Sequence, residues 1–261
     1  MPKRPVWSAA VLAAALCLAA AAIAAAEVAQ KGNLRVSFEG RIAPHRLPRQ
    51  GKAPVAVTLS GEIKTTDGAA PPQLRTISLA INRNGRLDYR GLPRCNFHQI
   101  QPSTTAEALA ACRSSLVGRG TFKADVALPE QSPFPSDGTI LAFDGNLHGA
   151  PVIYAHIYGT EPLPTSFVLP FAIRQGAGNY ATTLVADLPQ VASEWGYVSG
   201  VSLTLERNFS YQGHSHSYLA AGCPAPEGFP GATFAFARAA FGFEDGRTLS
   251  STLTRSCGVR R

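Results

Sequence analysis

The stretch Leu34-Arg35-Val36-Ser37-Phe38-Glu39 alternates strictly between apolar and polar side chains. Because successive side chains of a β-strand point to opposite faces, this period of two predicts a strand with one face on a core and the other in water. The same alternation recurs in the apolar sets Val55/Val57/Leu59, Ile77/Leu79/Ile81 and Val201/Leu203/Leu205. Repeated half-buried strands of this kind predict an all-β protein.

Asp-Gly and Asn-Gly dipeptides, which are typical of hairpin turns, separate many of these runs. They are Asp67-Gly68, Asn84-Gly85, Asp137-Gly138, Asp144-Gly145 and Asp245-Gly246. Asparagine, aspartate and glycine tolerate the positive φ angles of tight turns, so we interpret these steps as turns between antiparallel strands. We therefore expect a large antiparallel β-sandwich, jelly-roll-like, of about ten to twelve strands.

One short helix is predicted, near residues 105–113. Thr104 can cap the free amides of the first helical turn, and Glu107 can bond back to the cap, ahead of an alanine-rich run. Cys95 and Cys112 bracket this segment, so a disulfide between them would hold the helix against the sheet.

Residues 1–26 have the pattern of a cleavable secretion signal. Lys3 and Arg4 precede an apolar, alanine-rich run over residues 11–25, and small residues lie directly before Glu27. The apolar run is shorter than the roughly 20 residues that a membrane span needs. We predict a secreted or envelope-associated protein that has no membrane span after signal removal.

Residues 27–261 suit a single β-sandwich domain. Their number is typical of one all-β domain of roughly 200–250 residues, and two smaller sandwiches dividing near residues 188–195 are the alternative. Hydrophobic residues make up 45% of the chain and charged residues 16%, which excludes the disordered class. The net charge of +7 is dispersed, so we expect weak attraction to anionic envelope polymers and no nucleic-acid binding.

Four of the five cysteines follow the predicted signal: Cys95, Cys112, Cys223 and Cys257. In an exported chain an even number of cysteines predicts disulfides, and four cysteines can pair in three ways. We predict Cys95–Cys112 and Cys223–Cys257, the nearest-neighbour pairing.

An aromatic stripe is a candidate ligand face. Tyr154, His156 and Tyr158 share one face of a predicted strand over residues 152–158 and could stack on a sugar or another planar ligand. The opposite face, with Ile153, Ala155 and Ile157, is the better candidate for the core.

His214 and His216 are the candidate metal ligands. On a strand, two histidines two residues apart can place both imidazoles on one zinc or copper ion. The turn residues Gln212 and Gly213 also explain this stretch as a hairpin with exposed histidines, which is the interpretation we favour. We expect no cofactor.

Paired carboxylates could support glycoside hydrolysis. However, Asp67, Asp137, Asp144 and Asp245 precede glycine and are interpreted as turn residues. No motif selects a catalytic pair, so the sequence assigns no catalytic residue.

The C-terminal part of the chain carries a resemblance. Its motif SYLAAGCPAPEGFPG spans residues 217–231, and a second element, ending in SLVGRG, spans residues 95–120. Together these elements resemble uncharacterised exported proteins of actinobacteria, over most of the mature chain. That resemblance implies no known activity and transfers no functional residue.

We therefore expect an exported, non-enzymatic protein with a binding or structural role at the cell envelope, whose partner is an envelope polymer or a small ligand. The alternative is an extracellular hydrolase, glycan-directed or metal-assisted, on a jelly-roll scaffold. Converging carboxylates or a histidine cluster in a cleft would favour the hydrolase.

Overall fold

The computed structural model describes residues 26–127, 130–189 and 196–260. Nearly all of the predicted signal, residues 1–25, lies outside the described residues. The strands are β1 Glu27–Lys31, β2 Leu34–Ala43, β3 Arg46–Leu47, β4 Ala53–Pro54, β5 Ala56–Thr65, β6 Leu74–Asn82, β7 Gly85–Leu87, β8 Leu116–Val126, β9 Phe134–Leu147, β10 Ala150–Gly159, β11 Thr165–Gln175, β12 Tyr180–Asp187, β13 Gly196–Leu205, β14 Asn208–Tyr211, β15 His214–Ser217, β16 Leu219–Ala221, β17 Gly231–Phe243 and β18 Thr248–Val259. The helices are α1 Phe97–Ile100 and α2 Thr105–Cys112. The all-β class and the short helix are confirmed.

Thirteen strands form one hydrogen-bonded sheet in the order β1-β2-β5-β13-β8-β9-β10-β11-β12-β6-β17-β18-β3. Neighbouring strands are antiparallel except for the parallel pair β18 and β3. A jelly roll divides its strands between two facing sheets, whereas here a single strand order runs through all thirteen. The jelly-roll arrangement is therefore not confirmed.

The sheet curls so that β18 lies beside β1 and β2. The guanidinium Nε of Arg255 in β18 donates to the backbone oxygen of Gly40 in β2, at 2.6 Å. Phe38 in β2 meets Phe241 in β17 edge to face, with ring centroids 6.1 Å apart. The curl encloses the main apolar core, to which most of the long strands contribute residues of their inner face.

The alternating segment Leu34–Glu39 shows why the sequence folds this way. In β2, Leu34, Val36 and Phe38 are buried against the core, and the polar residues between them lie on the other face. The same alternation lets each long strand give one face to the core and one to the outside.

Helices α1 and α2 cover part of the outer face. They pack over β9 and β10 in a second apolar cluster that includes Ile100, Phe143 and Tyr154. The Cys95–Cys112 disulfide joins the segment before α1 to the end of α2, with a Cα–Cα distance of 5.6 Å. Thr104 accepts from the backbone of Glu107, as the capping pattern predicts.

The second disulfide joins Cys223, after β16, to Cys257 in β18, with a Cα–Cα distance of 5.8 Å. Both predicted pairings are therefore present. Among the described residues there are two smaller sheets as well: β4, β16 and β7 form one, and the hairpin β14–β15 forms the other.

Two of the glycine-containing dipeptides that were interpreted as turns lie within a strand, whereas two others are turns. Gly68 and Gly246 have the positive φ of a turn, at 77° and 79°. Asp137-Gly138 and Asp144-Gly145 instead lie within β9, so their interpretation as turns is wrong. In the register of β9 with β10, Gly138 lies opposite Gly159, and the ring of Tyr154 occupies the space where Gly145 would carry a Cβ.

Strands from both sides of residues 188–195 share the large sheet, since β13 lies between β5 and β8. Residues 190–195 are outside the described residues, and the single-domain interpretation stays a prediction. Over the described ranges, no helix is long and apolar enough to span a membrane.

Candidate functional site

The helical cover changes the environment of the predicted aromatic stripe. Tyr154 and His156 are buried, and Tyr158 is half-buried. Phe97 of α1 packs edge-on against Tyr154, with ring centroids 6.2 Å apart. The sequence suggested an open ligand face here, but the structure places the first two side chains beneath α1 and the segment that leads into α2. Strand periodicity could not reveal that cover, because both sides of β10 are apolar enough to be buried.

His156 is held by Ser103. Its Nε2 donates to the backbone oxygen of Ser103 at 3.0 Å, and the Ser103 hydroxyl lies 3.1 Å from the same nitrogen. The other ring nitrogen has no partner within the described chain. Burial lowers the pKa of His156, and the bond to Ser103 opposes this shift. His156 is thus a neutral structural side chain.

The two candidate metal ligands lie on the predicted hairpin, in β15. His216 stacks on Phe209, with ring centroids 5.6 Å apart, and its Nδ1 lies 3.8 Å from a carboxylate oxygen of Asp88. His214 is exposed. Within the part of the chain that the structure describes, no three His, Cys, Asp or Glu side chains are placed to hold one metal ion.

Asp144 is a buried group that sequence analysis missed. Its side chain is fully buried, and Tyr218, also fully buried, lies beside it. Burial raises the pKa of Asp144 to about 7, while the charge of Arg94 and the phenol of Tyr218 oppose this shift. Because the side chain of Asp144 is not exposed to solvent, we interpret it as a buried group of the core.

The curled sheet also encloses a small cavity. Its walls are almost wholly apolar, with Val57, Leu79 and Phe236 among them, and its volume is about 50 Å³. An engineered apolar cavity that holds benzene has about 150 Å³. The space is therefore a packing void of the core.

A shallow groove lies on the outer face, beyond the edge of the helical cover. It crosses β5, β13 and β8 and has a volume of about 380 Å³, within the range of about 300–1,000 Å³ of small-molecule sites. Alternation places Glu62 and Lys64 on this face and Ile63 in the core. We call this feature the sheet groove, and its lining residues are Ser60, Gly61, Glu62, Ile63, Lys64, Thr121, Lys123, Ser199, Gly200, Val201 and Ser202.

Gly200 lies at the centre of the groove floor. In the sheet register it lies between Glu62 of β5 and Lys123 of β8, just after an irregularity in β13. A Cβ at Gly200 would find its nearest neighbours, in Lys123 and Gly61, at 3.6 and 3.7 Å, which is ordinary van der Waals contact. Gly200 is buried because the stem of Lys123 lies over it, and a larger residue at position 200 would have to share that space with the Lys123 side chain.

Three hydroxyl groups form a row across the groove. Ser60 lies opposite Ser202, and Ser202 lies opposite Thr121 on the next strand. In the neighbouring row, the hydroxyls of Thr58 and Thr204 bond to each other at 2.8 Å. The three groove hydroxyls make no such side-chain bond to another described residue, so their hydrogen-bonding capacity is open to a ligand.

The charges of the groove are unevenly paired. Glu62 lies 3.6 Å from Lys64, and both side chains are largely exposed. Lys123 is exposed and has no acidic side chain within 4.0 Å over the described ranges, but Asp137 of β9 lies opposite it in the sheet register. The groove lining therefore holds one weak ion pair and a second lysine that has an aspartate as its cross-strand neighbour.

No family model, curated protein or solved structure matches this chain.

Proposed function

We propose that this protein is an exported, non-enzymatic bacterial protein that binds a polymer or small ligand of the cell envelope in the sheet groove. The observation that carries this proposal is the row of three hydroxyl groups, without a side-chain partner among the described residues, on a continuous hydrogen-bonded sheet. Rigid scaffolds that present ready donors and acceptors lose little conformational entropy when they bind.

The proposed export rests on the signal pattern of residues 1–26 and agrees with the cysteines. Two disulfides are consistent with an extracellular, oxidising compartment, where such bonds persist. Sequencing the N-terminus of protein recovered from the medium or the envelope tests this part. We expect the chain to begin at Glu27, and an intact Met1 in a membrane pellet would contradict it.

The hydrolase alternative has less support. Most glycoside hydrolases need two carboxyl groups that flank the bond they cleave. Glu62 is the sole carboxylate among the described residues that line the groove. Binding without cleavage is therefore the function that this arrangement favours.

Filling the groove tests the binding proposal. The mature protein and a Gly200→Val variant are incubated with purified cell-envelope polymers, and the bound fraction is measured by sedimentation. Gly258→Val is the matched control, because a Cβ at Gly258 also meets its nearest neighbour at 3.6 Å. We expect Gly200→Val to weaken binding about 10-fold or more and Gly258→Val to bind like the wild type.

Equal binding by the wild type and Gly200→Val would contradict the groove as the site. Release of soluble sugar in amounts exceeding the amount of protein would contradict the non-enzymatic assignment and favour the hydrolase.

A further inference from the structure

We infer that one end of the curled sheet is a docking surface for a membrane that contains anionic phospholipids. The inference goes beyond the proposed function and does not depend on the sheet groove. It combines two observations about this end of the molecule: the fold collects positive charge there, and an exposed phenylalanine lies among those charges.

The fold separates charge between the two ends of the curled sheet. Because neighbouring strands are antiparallel, successive connections between the long strands lie at alternate ends. The basic end comprises residues 44–55, 83–115, 148–149, 176–179, 206–230 and 260, which include ten Lys or Arg and four Asp or Glu, a formal charge of +6. The described residues of the acidic end are 32–33, 66–73, 127, 130–133, 160–164, 188–189 and 244–247, with one Arg and five Asp or Glu, a formal charge of −4.

Short strands bring the cations of the basic end together from distant parts of the chain. Lys52 directly precedes β4 and Arg86 lies in β7, and β16 pairs with both of these strands. The backbone nitrogen of Arg260 donates to the backbone oxygen of Leu47 at 2.8 Å, which places the C-terminal cation beside the same loop. Eight of the ten cations are exposed. The positive charge is therefore on the surface and on one side of the molecule.

The acidic residues of the basic end offset only part of this charge. Asp88 is buried and lies 3.3 Å from both Arg86 and Arg90. Glu107 bonds to Thr104 at the start of α2, and Asp144 of the adjoining strand β9 is fully buried. Glu206 and Glu227 are exposed. Eight exposed cations thus outnumber the exposed carboxylates of this end.

Phe229 supplies an apolar side chain among these charges. It is 61% exposed and lies in the loop between β16 and β17. Arg49 donates through a guanidinium nitrogen to the backbone oxygen of Phe229 at 2.7 Å, so a cation holds the loop that carries the ring. Basic side chains attract anionic headgroups, and an aromatic side chain enters the boundary between headgroups and acyl chains. The basic end presents both kinds of group.

Two other partners of complementary charge fit less well. A soluble polyanion offers no apolar layer for Phe229. A second copy of the chain could place its acidic end on the basic end, but the cores of protein interfaces are depleted of charged residues because burying a charge is costly. Charged groups at a headgroup surface stay hydrated, so a membrane accommodates this density of cations.

The test is co-sedimentation of the folded mature protein with vesicles of phosphatidylcholine, with or without phosphatidylglycerol. We expect the anionic vesicles to bind at least about 10-fold more tightly, because each Lys or Arg near an anionic surface strengthens binding about fivefold. This preference should be lost at about 1 M NaCl, where the Debye length is about 3 Å.

Paired charge variants locate the surface. We expect Lys52→Gln/Arg83→Gln, which removes two exposed cations of the basic end, to weaken binding to the anionic vesicles by about 10-fold or more. The control Lys31→Gln/Lys64→Gln removes two exposed cations from the opposite half of the molecule and should stay within about twofold.

Variants of the Phe229 loop test the apolar contact. We expect Phe229→Ser to weaken vesicle binding about fivefold or more, whereas Leu163→Ser, which changes the 71% exposed leucine of the acidic end, should bind like the wild type. Glu227→Gln removes a carboxylate two residues from Phe229, so we expect it to strengthen binding by about 2- to 5-fold. A gain of affinity cannot come from misfolding.

The inference is overturned if both kinds of vesicle bind equally, if neither binds, or if the two charge variants behave alike. It is also overturned if polyphosphate binds as tightly as the anionic vesicles while Phe229→Ser changes neither affinity, since the partner is then a soluble polyanion. Self-association at low salt without vesicle binding would identify a second copy as the partner. Gly200→Val should bind the vesicles like the wild type, so failure of the groove proposal leaves this result unchanged.

Discussion

The carboxyl group of Asp144 and the phenol of Tyr218 lie side by side inside the curled sheet. Both side chains are fully buried, and over the described ranges neither has a hydrogen bond of good geometry. Burial raises the pKa of Asp144 to about 7, and the nearby carboxylate helps to raise the pKa of Tyr218. The core therefore favours a protonated, neutral Asp144.

The first prediction follows from this pKa. A carboxyl group whose pKa is about 7 in the folded chain and about 4 in the unfolded chain binds more protons when folded between these values. The free energy of unfolding should therefore fall as the pH rises from about 4 to 7. We expect Asp144→Asn, which is neutral at every pH, to be more stable than the wild type at pH 8 by about 2 kcal/mol, or about 4–8 °C in Tm.

Thermal unfolding at pH 5 and pH 8 checks this prediction, with the exposed Asp187→Asn as the control. An Asp144→Asn advantage that is as large at pH 5 as at pH 8 would show that Asp144 does not titrate in this range.

The second prediction concerns His156, for which the expected change of stability with pH has the opposite sign. Its pKa lies below that of an unfolded histidine because burial disfavours the charged ring. Below about pH 6.5 the unfolded chain then binds more protons, and stability falls as the pH decreases. In an Asp144→Asn background, which removes the opposing slope, we expect urea unfolding to show this fall. His156→Gln, which keeps a donor for Ser103, should reduce it. If the free energy of unfolding falls with decreasing pH as steeply in the His156→Gln variant as in its Asp144→Asn parent, the role of His156 is contradicted.

The third prediction separates the two disulfides. Cys95→Ala/Cys112→Ala should lower the free energy of unfolding by about 3 kcal/mol and increase hydrogen exchange in α1 and α2. Cys223→Ala/Cys257→Ala should cause a similar loss of stability and leave exchange over residues 97–112 unchanged. Mass spectrometry of peptides from exchanged protein measures both effects. Equal exchange of the helices in the two variants would contradict the local role of Cys95–Cys112.

The fourth prediction concerns the histidine pair. His216 is already stacked on Phe209 beside Asp88, and His214 is exposed. We expect calorimetric titration with zinc or copper to show no site tighter than about millimolar. A micromolar site that His214→Ala/His216→Ala removes would establish the metal-assisted alternative.

Local features of this fold are largely predictable from the sequence. Alternation identifies strands such as β2, capping identifies the start of α2 at Thr105, and cysteine spacing predicts both pairings. Each depends on residues that are close together in the chain. The strand order depends on residues that are far apart in the chain, because β13 lies between β5 and β8 in the sheet.

The groove was missed for the same reason. Ser60, Ser202 and Thr121 come from three strands, and only the register reveals that they form one row. The sequence does show Ser202 and Thr204 opposite an apolar face, which indicates a polar outer surface but not a site. The burial of Asp144 likewise depends on Tyr218, which follows it by more than seventy residues.

The central claim is that ligand binds in the sheet groove, and NMR chemical-shift mapping of the mature protein with an envelope polymer tests it most directly. We expect the largest shifts at the amides of Gly61, Thr121, Gly200 and Ser202, with little change in the hairpin of residues 208–217. Shifts concentrated on that hairpin, with the groove amides unmoved, would contradict the claim.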